Sequence, residues 1–211
     1  MDLKALRREY LRDGLEREDL ADDPFDQFEL WMAQFLELDL PDPAAMTIAT
    51  VAPDGQPSQR IVLLKHFDPS GLVFYSNYDS RKAQELDINP KISLHFPWHV
   101  IERQVKICGV AEKISAEDSW QYFSSRPKGS QIAAAASPQS RVIDSRAELL
   151  REYEKIEQQY QNDNLPLPEN WGGYRVVPNE FEFWQGGAHR LHDRFRYSRQ
   201  GSGWSVDRLA P

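Results

Sequence analysis

Residues 46–77 read MTIATVAPDGQPSQRIVLLKHFDPSGLVFYSN, and this stretch decides the fold. Met46–Ala52, Ser58–Phe67 and Leu72–Asn77 have strand character. Pro53-Asp54-Gly55-Gln56 and Asp68-Pro69-Ser70-Gly71 separate them, and both separators are strong turn formers. Further along, Lys91–Phe96, Arg103–Ile114, Tyr174–Val177, Phe181–Trp184, His189–Tyr197 and Trp204–Arg208 also read as strands. They cluster without regular βαβ alternation. The expected fold is therefore mainly β with peripheral helices (α+β), an antiparallel barrel.

The helices are expected around this sheet. Residues 3–12 and 25–38 have helical spacing. In the second, Phe25, Phe28, Leu30, Trp31, Phe35 and Leu38 form an apolar stripe after an Asp23-Pro24 start signal. Ser80–Asn89 reads as a short helix, and Ser115-Ala116-Glu117-Asp118 opens another through Phe123. Ser130–Ala136 and a charged amphipathic segment over 145–161 complete the set. Residues 1–40 are expected to form an N-terminal helical segment, and 41–211 the β domain with inserted helices.

Composition excludes several classes. The 211 residues include 40% hydrophobic and 11% aromatic side chains, enough for a core. No apolar run approaches a membrane span, and the opening Met1-Asp2-Leu3-Lys4 lacks a signal-peptide apolar region. A cytoplasmic location is the simplest expectation. The single cysteine, Cys108, excludes an intrachain disulfide framework and a multi-cysteine metal site. His95 and His99 sit on a strand and its end without cysteines nearby, so no metal is expected. Of the net charge of −8, residues 1–40 carry −7 and the rest −1. No basic run points to nucleic acid. Local cation clusters in a nearly balanced body point instead to small anionic ligands.

Four clusters carry candidate chemistry. In Phe183–Phe195, a Gly186-Gly187 pair reads as a tight hairpin turn. Strand alternation then puts Arg190, His192 and Arg194 on one face and His189 on the other. A ligand face and a solvated edge strand are equally consistent with these residues. In Arg60-Ile61-Val62-Leu63-Leu64-Lys65, the spacing of five puts the two cations on opposite faces. Each contacts a separate anion, or both simply reach solvent. Ser80-Arg81-Lys82 opens a helix, where free N–H groups and cations suit a phosphate; an ordinary surface helix start is the alternative. Tyr122, Arg126 and Ser130 recur at intervals of four and fit either a phosphate clamp or a polar helix end. Arg7-Arg8-Glu9-Tyr10 reads, by itself, as a solvated helix face.

Together these stretches resemble the pyridoxamine 5′-phosphate oxidase family, from Arg7 to Asp207-Arg208-Leu209-Ala210-Pro211. The most specific pieces are Gln59–Lys65, Ser80-Arg81-Lys82, Phe96-Pro97-Trp98, Glu102-Arg103-Gln104-Val105 and Ser125-Arg126-Pro127, in that order. The resemblance implies an FMN-binding split β-barrel, with FMN between the subunits of a homodimer. It implies FMN contacts at Arg60, Ile61, Val62, Leu63, Leu64, Lys65, Tyr75, Ser76, Arg81, Lys82, Gln104, Gln139, Ser140, Trp184 and Arg194. The implied substrate contacts are Lys65, Tyr122, Arg126, Ser130, Arg190, Leu191 and His192, with Arg7, Arg8, Glu9 and Tyr10 as a lid over the pyridine ring. Arg190 and His192 are the implied catalytic pair, His192 as orienter or base. The implied reaction oxidises pyridoxine or pyridoxamine 5′-phosphate to pyridoxal 5′-phosphate, the last step of its synthesis and salvage. Oxygen is reduced to hydrogen peroxide. Another split-barrel flavin reductase and a non-enzymatic FMN or pyridoxal phosphate binding protein are the alternatives. Two features depart from the family's common pattern: the plain run Ala133–Ala136 and the acidic Glu16-Arg17-Glu18.

Overall fold

The computed structural model describes Leu3, Glu9, Tyr10 and residues 14–211. The helix expected over 3–12 falls largely outside the described residues, and so do Arg7 and Arg8. The described residues form a nine-stranded sheet and five α-helices.

The strands are β1 (Ala45–Val51), β2 (Pro57–Leu63), β3 (His66–Asp68), β4 (Gly71–Asn77), β5 (Lys91–Phe96), β6 (Arg103–Lys113), β7 (Trp171–Gln185), β8 (Asp193–Gln200) and β9 (Gly203–Leu209). All pairings are antiparallel, in the order β2-β1-β5-β6-β7-β4-β3, with β8 and β9 continuing from β7. The helices are α1 (Pro24–Leu36), α2 (Arg81–Ile88), α3 (Ala116–Ser125), α4 (Lys128–Ala136) and α5 (Arg146–Gln159).

Helix α1 starts where the sequence signals it. Asp23 accepts a hydrogen bond from the Phe25 N–H at 2.8 Å, and Pro24 occupies the first turn, where its missing N–H costs nothing. Phe25, Phe28, Trp31, Met32 and Phe35 are buried against the sheet, with Phe28 packed on Phe96, Phe67 and Trp98. The expected stripe is corrected at its edges: Leu30 and Leu38 are exposed, and Met32 takes the inward position. One core joins α1 to Phe74, Leu94, Ile107, Phe181 and Phe183 of the sheet. A smaller cluster of Phe123, Leu165 and Trp171 seats α3 to α5 beside it.

Two strand expectations change. Ser58–Phe67 is not one strand: β2 ends at Leu63, Leu64 is buried in the core, and β3 begins at His66. Conversely, Tyr174–Val177 and Phe181–Trp184 merge into the fifteen-residue β7 despite Pro178. Proline lacks an N–H for the ladder. Here the β6·β7 register shifts between Cys108 and Gly109, opposite Pro178 and Glu180, so the strand continues past it. Gly109 makes the passage possible, since a Cβ there falls 2.4 Å from the Val177 carbonyl oxygen and 3.0 Å from Pro178 Cα. Gly109→Ala is therefore expected to destabilise the fold by about 1–3 kcal/mol through backbone overpacking. Urea unfolding of that variant against the parent chain measures the loss.

Candidate functional site

A cavity of about 1130 Å3 lies among β2, β4, α2, α3, α4 and the start of β7. Arg60, Ile61, Val62, Leu63, Lys65, Tyr75, Ser76, Arg81, Lys82, Gln139 and Ser140 line it, and so do Tyr122, Arg126 and Ser130. Leu64 turns into the core instead. Arg60 and Lys65 do not serve opposite faces, which corrects the spacing argument: β2 stops at Leu63, and the break returns Lys65 to the same cavity as Arg60.

The first half of the cavity is built at the N-terminus of α2. Ser80 does not cap the helix with its side chain. Its hydroxyl accepts from Lys82 Nζ at 3.2 Å, alongside Ser76 Oγ at 3.0 Å and Gln139 Oε1 at 2.9 Å. Lys82 is buried, yet no carboxylate pairs with it among the described residues. Burial, with repulsion from Arg60, lowers its pKa to about 8. Arg60 donates to Thr50 Oγ1 at 2.5 Å and Ser58 Oγ at 2.7 Å, while Arg81 Nε donates to Glu85 at 2.8 Å.

The second half is aromatic and cationic. Tyr122 stacks on Tyr75 with ring centroids 3.9 Å apart, and Tyr75 stacks on Trp171 at 5.4 Å. Arg126 lies over Trp171 at 4.9 Å. Its Nη1 is buried without a hydrogen-bond partner among the described residues. Burial lowers its pKa, with only Tyr122 opposing. This half-buried guanidinium lines the cavity with Ser130 and Lys65, a donor set whose chemistry suits an anion.

The remaining expected residues lie elsewhere on the protomer. Gln104 and Trp184 line a second cavity of about 360 Å3 with His95, Lys106 and Glu182; Gln59 on β2 borders both cavities. His95 Nε2 donates to Gln104 Oε1 at 2.9 Å. Arg194 donates through Nε and Nη2 to Glu182, at 2.9 and 2.8 Å, and Lys106 Nζ reaches the other Glu182 oxygen at 2.7 Å. Burial raises the Glu182 pKa, but these two cations hold it below the usual carboxylate range.

Arg190, Leu191 and His192 are not on a strand, which corrects the tight-hairpin reading. Residues 186–192 form a loop containing a 3-10 turn, with His189 and Arg190 at φ 54° and 67°. Gly186 and Gly187 are not its left-handed positions. They permit close approach: a Cβ on Gly186 meets Tyr10 at 2.5 Å, and one on Gly187 meets the Leu191 carbonyl oxygen at 2.1 Å. His192 packs 4.6 Å from Trp184 and 5.3 Å from Tyr10, while Arg190 and Leu191 are exposed. Glu9 is exposed too. The Gly187 N–H donates to His192 Nδ1 at 3.1 Å, so the neutral ring carries its proton on Nε2. Burial, then Arg190 and Arg194, lower the His192 pKa below 6.5.

Sequence reasoning passed over the residues that orient these groups: Thr50, Ser58, Glu85, His95, Lys106 and Glu182. A signal existed for Glu85, four residues after Arg81 on α2. Another existed for Ser58, two before Arg60 on one face of β2.

A curled antiparallel sheet with a cavity lined by cations and aromatics defines the split-barrel flavin-binding class. The family model for pyridoxamine 5′-phosphate oxidase matches residues 32–160, and that for the pyridoxine 5′-phosphate oxidase C-terminal dimerisation region matches residues 171–211. The chain belongs to the pyridoxamine 5′-phosphate oxidase family. It is 58% identical over 211 residues, the whole of both chains, to the pyridoxine/pyridoxamine 5′-phosphate oxidase of Vibrio cholerae serotype O1 (strain M66-2). It is also similar to the crystal structure of PhzG from Burkholderia lata 383 in complex with tetrahydrophenazine-1-carboxylic acid. That likeness has a TM-score of 0.88 and 28% identity over 94% of this chain and 98% of the other. A pyridoxamine 5′-phosphate oxidase-related, FMN binding protein from Nostoc punctiforme PCC 73102 shares the fold. Its TM-score is 0.70, with 17% identity over 91% of this chain and 100% of the other.

Arg126 keeps a buried donor without a partner among the described residues, so its loss is expected to cost the fold little. Arg126→Met is expected to leave unfolding free energy within about 1 kcal/mol of the parent, because an apolar side chain relieves the buried unpaired donor. The same variant is expected to lose most of its affinity for pyridoxal 5′-phosphate. Urea unfolding without ligand and a binding titration measure the two effects.

Proposed function

We propose that this chain is an FMN-dependent oxidase that converts pyridoxine and pyridoxamine 5′-phosphate to pyridoxal 5′-phosphate, with oxygen as acceptor. The observation that carries this reading is that two groups of cationic and hydroxyl side chains share one cavity. Arg60, Arg81 and Lys82 form one group, and Lys65, Tyr122, Arg126 and Ser130 the other. Two phosphorylated ligands, cofactor and substrate, account for both. The Lys82 ammonium without a carboxylate and the unused Arg126 donor fit phosphate chemistry.

Bound FMN supplies a two-electron acceptor that oxygen restores, giving hydrogen peroxide. The chain's own residues bind and orient. Arg81 and Lys82, at the start of α2, hold the FMN phosphate, with Ser76, Gln139 and Ser140 around it. Ile61, Val62 and Leu63 on β2 offer a wall to the ring system. Tyr122, Arg126, Ser130 and Lys65 hold the substrate phosphate. Arg190 and His192 take the pyridine ring, with Arg7, Arg8, Glu9 and Tyr10 as lid. With Nδ1 engaged by Gly187, neutral His192 presents an Nε2–H donor, which supports orientation rather than base catalysis. Water completes the amine route, releasing ammonia.

The partition of groups supports a homodimer with FMN at the interface. Gln104, Trp184 and Arg194 lie apart from the first cavity, and so do Arg190 and His192. Edge strand β2 exposes Ile61 and Leu63. A second copy brings the missing groups, and the matched C-terminal dimerisation region agrees with this.

Purified protein is expected to be yellow, to bleach when pyridoxine 5′-phosphate is added without oxygen, and to consume oxygen in air. Arg190→Met keeps the colour and loses at least about 30-fold in turnover, consistent with about 2–5 kcal/mol for one charged contact buried against the substrate. Flavin-loaded protein that neither bleaches nor turns over refutes the activity.

Lys82 sets a pH dependence. In the free protein it loses its proton near pH 8, below its ordinary 10.5, while a phosphate dianion favours the charged ammonium. FMN affinity is therefore expected to fall, by up to tenfold per pH unit, as pH rises through about 8. It also falls below about pH 6, where the phosphate takes its second proton. FMN fluorescence titrations across pH measure both limbs, and Lys82→Met flattens the alkaline one.

A further inference from the structure

A buried carboxylate, Glu85, stands behind the cations of the first cavity, and nothing in phosphate binding by itself calls for one. Glu85 is 3% exposed, on the inner face of α2. Among the described residues, each side chain that hydrogen-bonds to its carboxylate does so as a donor. Ser58 Oγ donates to it at 2.7 Å and Arg81 Nε at 2.8 Å; Thr50 Oγ1 donates through a short hydrogen bond, and Arg60 Nη2 lies at 3.5 Å. Thr50 and Ser58 each also accept from Arg60. Two strands and one helix thus meet on one carboxylate, with the two hydroxyls relaying it to Arg60.

We propose that Glu85 is a positioning residue for the cofactor phosphate: it holds Arg60 and Arg81 side by side in the geometry that receives a phosphomonoester, and leaves the site with the charge of that dianion. This rests on the reading that the cavity binds FMN. Arg60, Arg81 and Lys82 together carry three positive charges, and close packing of like charges costs energy without a counter-ion. One buried carboxylate brings the set to a net of two, which matches a phosphomonoester above about pH 6. Burial raises the Glu85 pKa, but the hydrogen bonds from Thr50, Ser58 and Arg81 outweigh it and bring the value to about 2. The carboxylate is charged throughout the range in which the phosphate is dianionic.

Glutamine is the informative replacement. It keeps the volume but turns one acceptor oxygen into an NH2 group, which then faces hydroxyl or guanidinium donors. The arginine pair loses its common anchor. Riboflavin, which has the flavin ring and no phosphate, separates this effect from damage to the cavity. The experiment measures dissociation constants for FMN and riboflavin on apoprotein of the parent, Glu85→Gln and Ser58→Ala, with thermal unfolding of each apoprotein. Glu85→Gln is expected to weaken FMN at least tenfold and to change riboflavin less than twofold. Ser58→Ala, which removes one relay on a half-buried hydroxyl, is expected to weaken FMN about threefold with the same selectivity. Equal weakening of both ligands, or unchanged or tighter FMN binding in Glu85→Gln, overturns the assignment. If that variant does not fold, Ser58→Ala decides by the same criterion. A parent chain that binds no FMN overturns the cofactor reading instead, so the two failures are distinct.

Discussion

Strand β7 pairs with β6 along nearly its whole length, and its other edge is shared. Its first half takes β4 and its second half takes β8. Neither half-sheet has an independent core, because Phe181 and Phe183 from the second half pack in the same cluster as Tyr174 and Val176 from the first. The register shift at Gly109 keeps that strand continuous past a proline. The first cavity rests on the β4 side of this strand, and the 186–192 loop grows from its far end. The separation of the 186–192 loop from the first cavity along β7 therefore follows that strand's length.

Electrostatics explains why the cavity is costly to maintain. Protein interiors penalise unpaired charge, and most buried cations have a carboxylate partner. Lys82 is satisfied by neutral oxygens alone, and Arg126 keeps a donor in reserve. By contrast, Glu182 is saturated by Lys106 and Arg194, and Glu180 lies 3.6 Å from Lys106, so two carboxylates balance two cations there. The molecule thus holds uncompensated positive charge where a phosphate is expected and compensates it elsewhere.

Much of this was legible in the sequence, for physical reasons that differ by element. Strands β1, β4, β5 and β6 and helices α1 to α5 announce themselves through alternation, turn chemistry and caps, all of which are local. The anion clusters were legible as cations near a helix start. The failures are tertiary. Pro178 reads as a break because its tolerance depends on a register shift against a strand about seventy residues away in sequence. Gly186-Gly187 reads as a turn because the alternative use of glycine, room for Tyr10 and a loop carbonyl, is invisible locally. Leu30 and Leu38 fit the helical period but sit beyond the edge of what the sheet covers. For Glu85 the sequence offers only its i,i+4 spacing from Arg81, since the fold alone brings Thr50 and Ser58 to it.

The Lys82 arrangement also bears on how long the polypeptide lasts. A chain without its flavin keeps neighbouring cations together against their mutual repulsion, and a bound phosphate removes that penalty. Anything that binds only the native form lowers the population of open forms that proteases attack. On this account the flavin-loaded chain opens less often than the empty one.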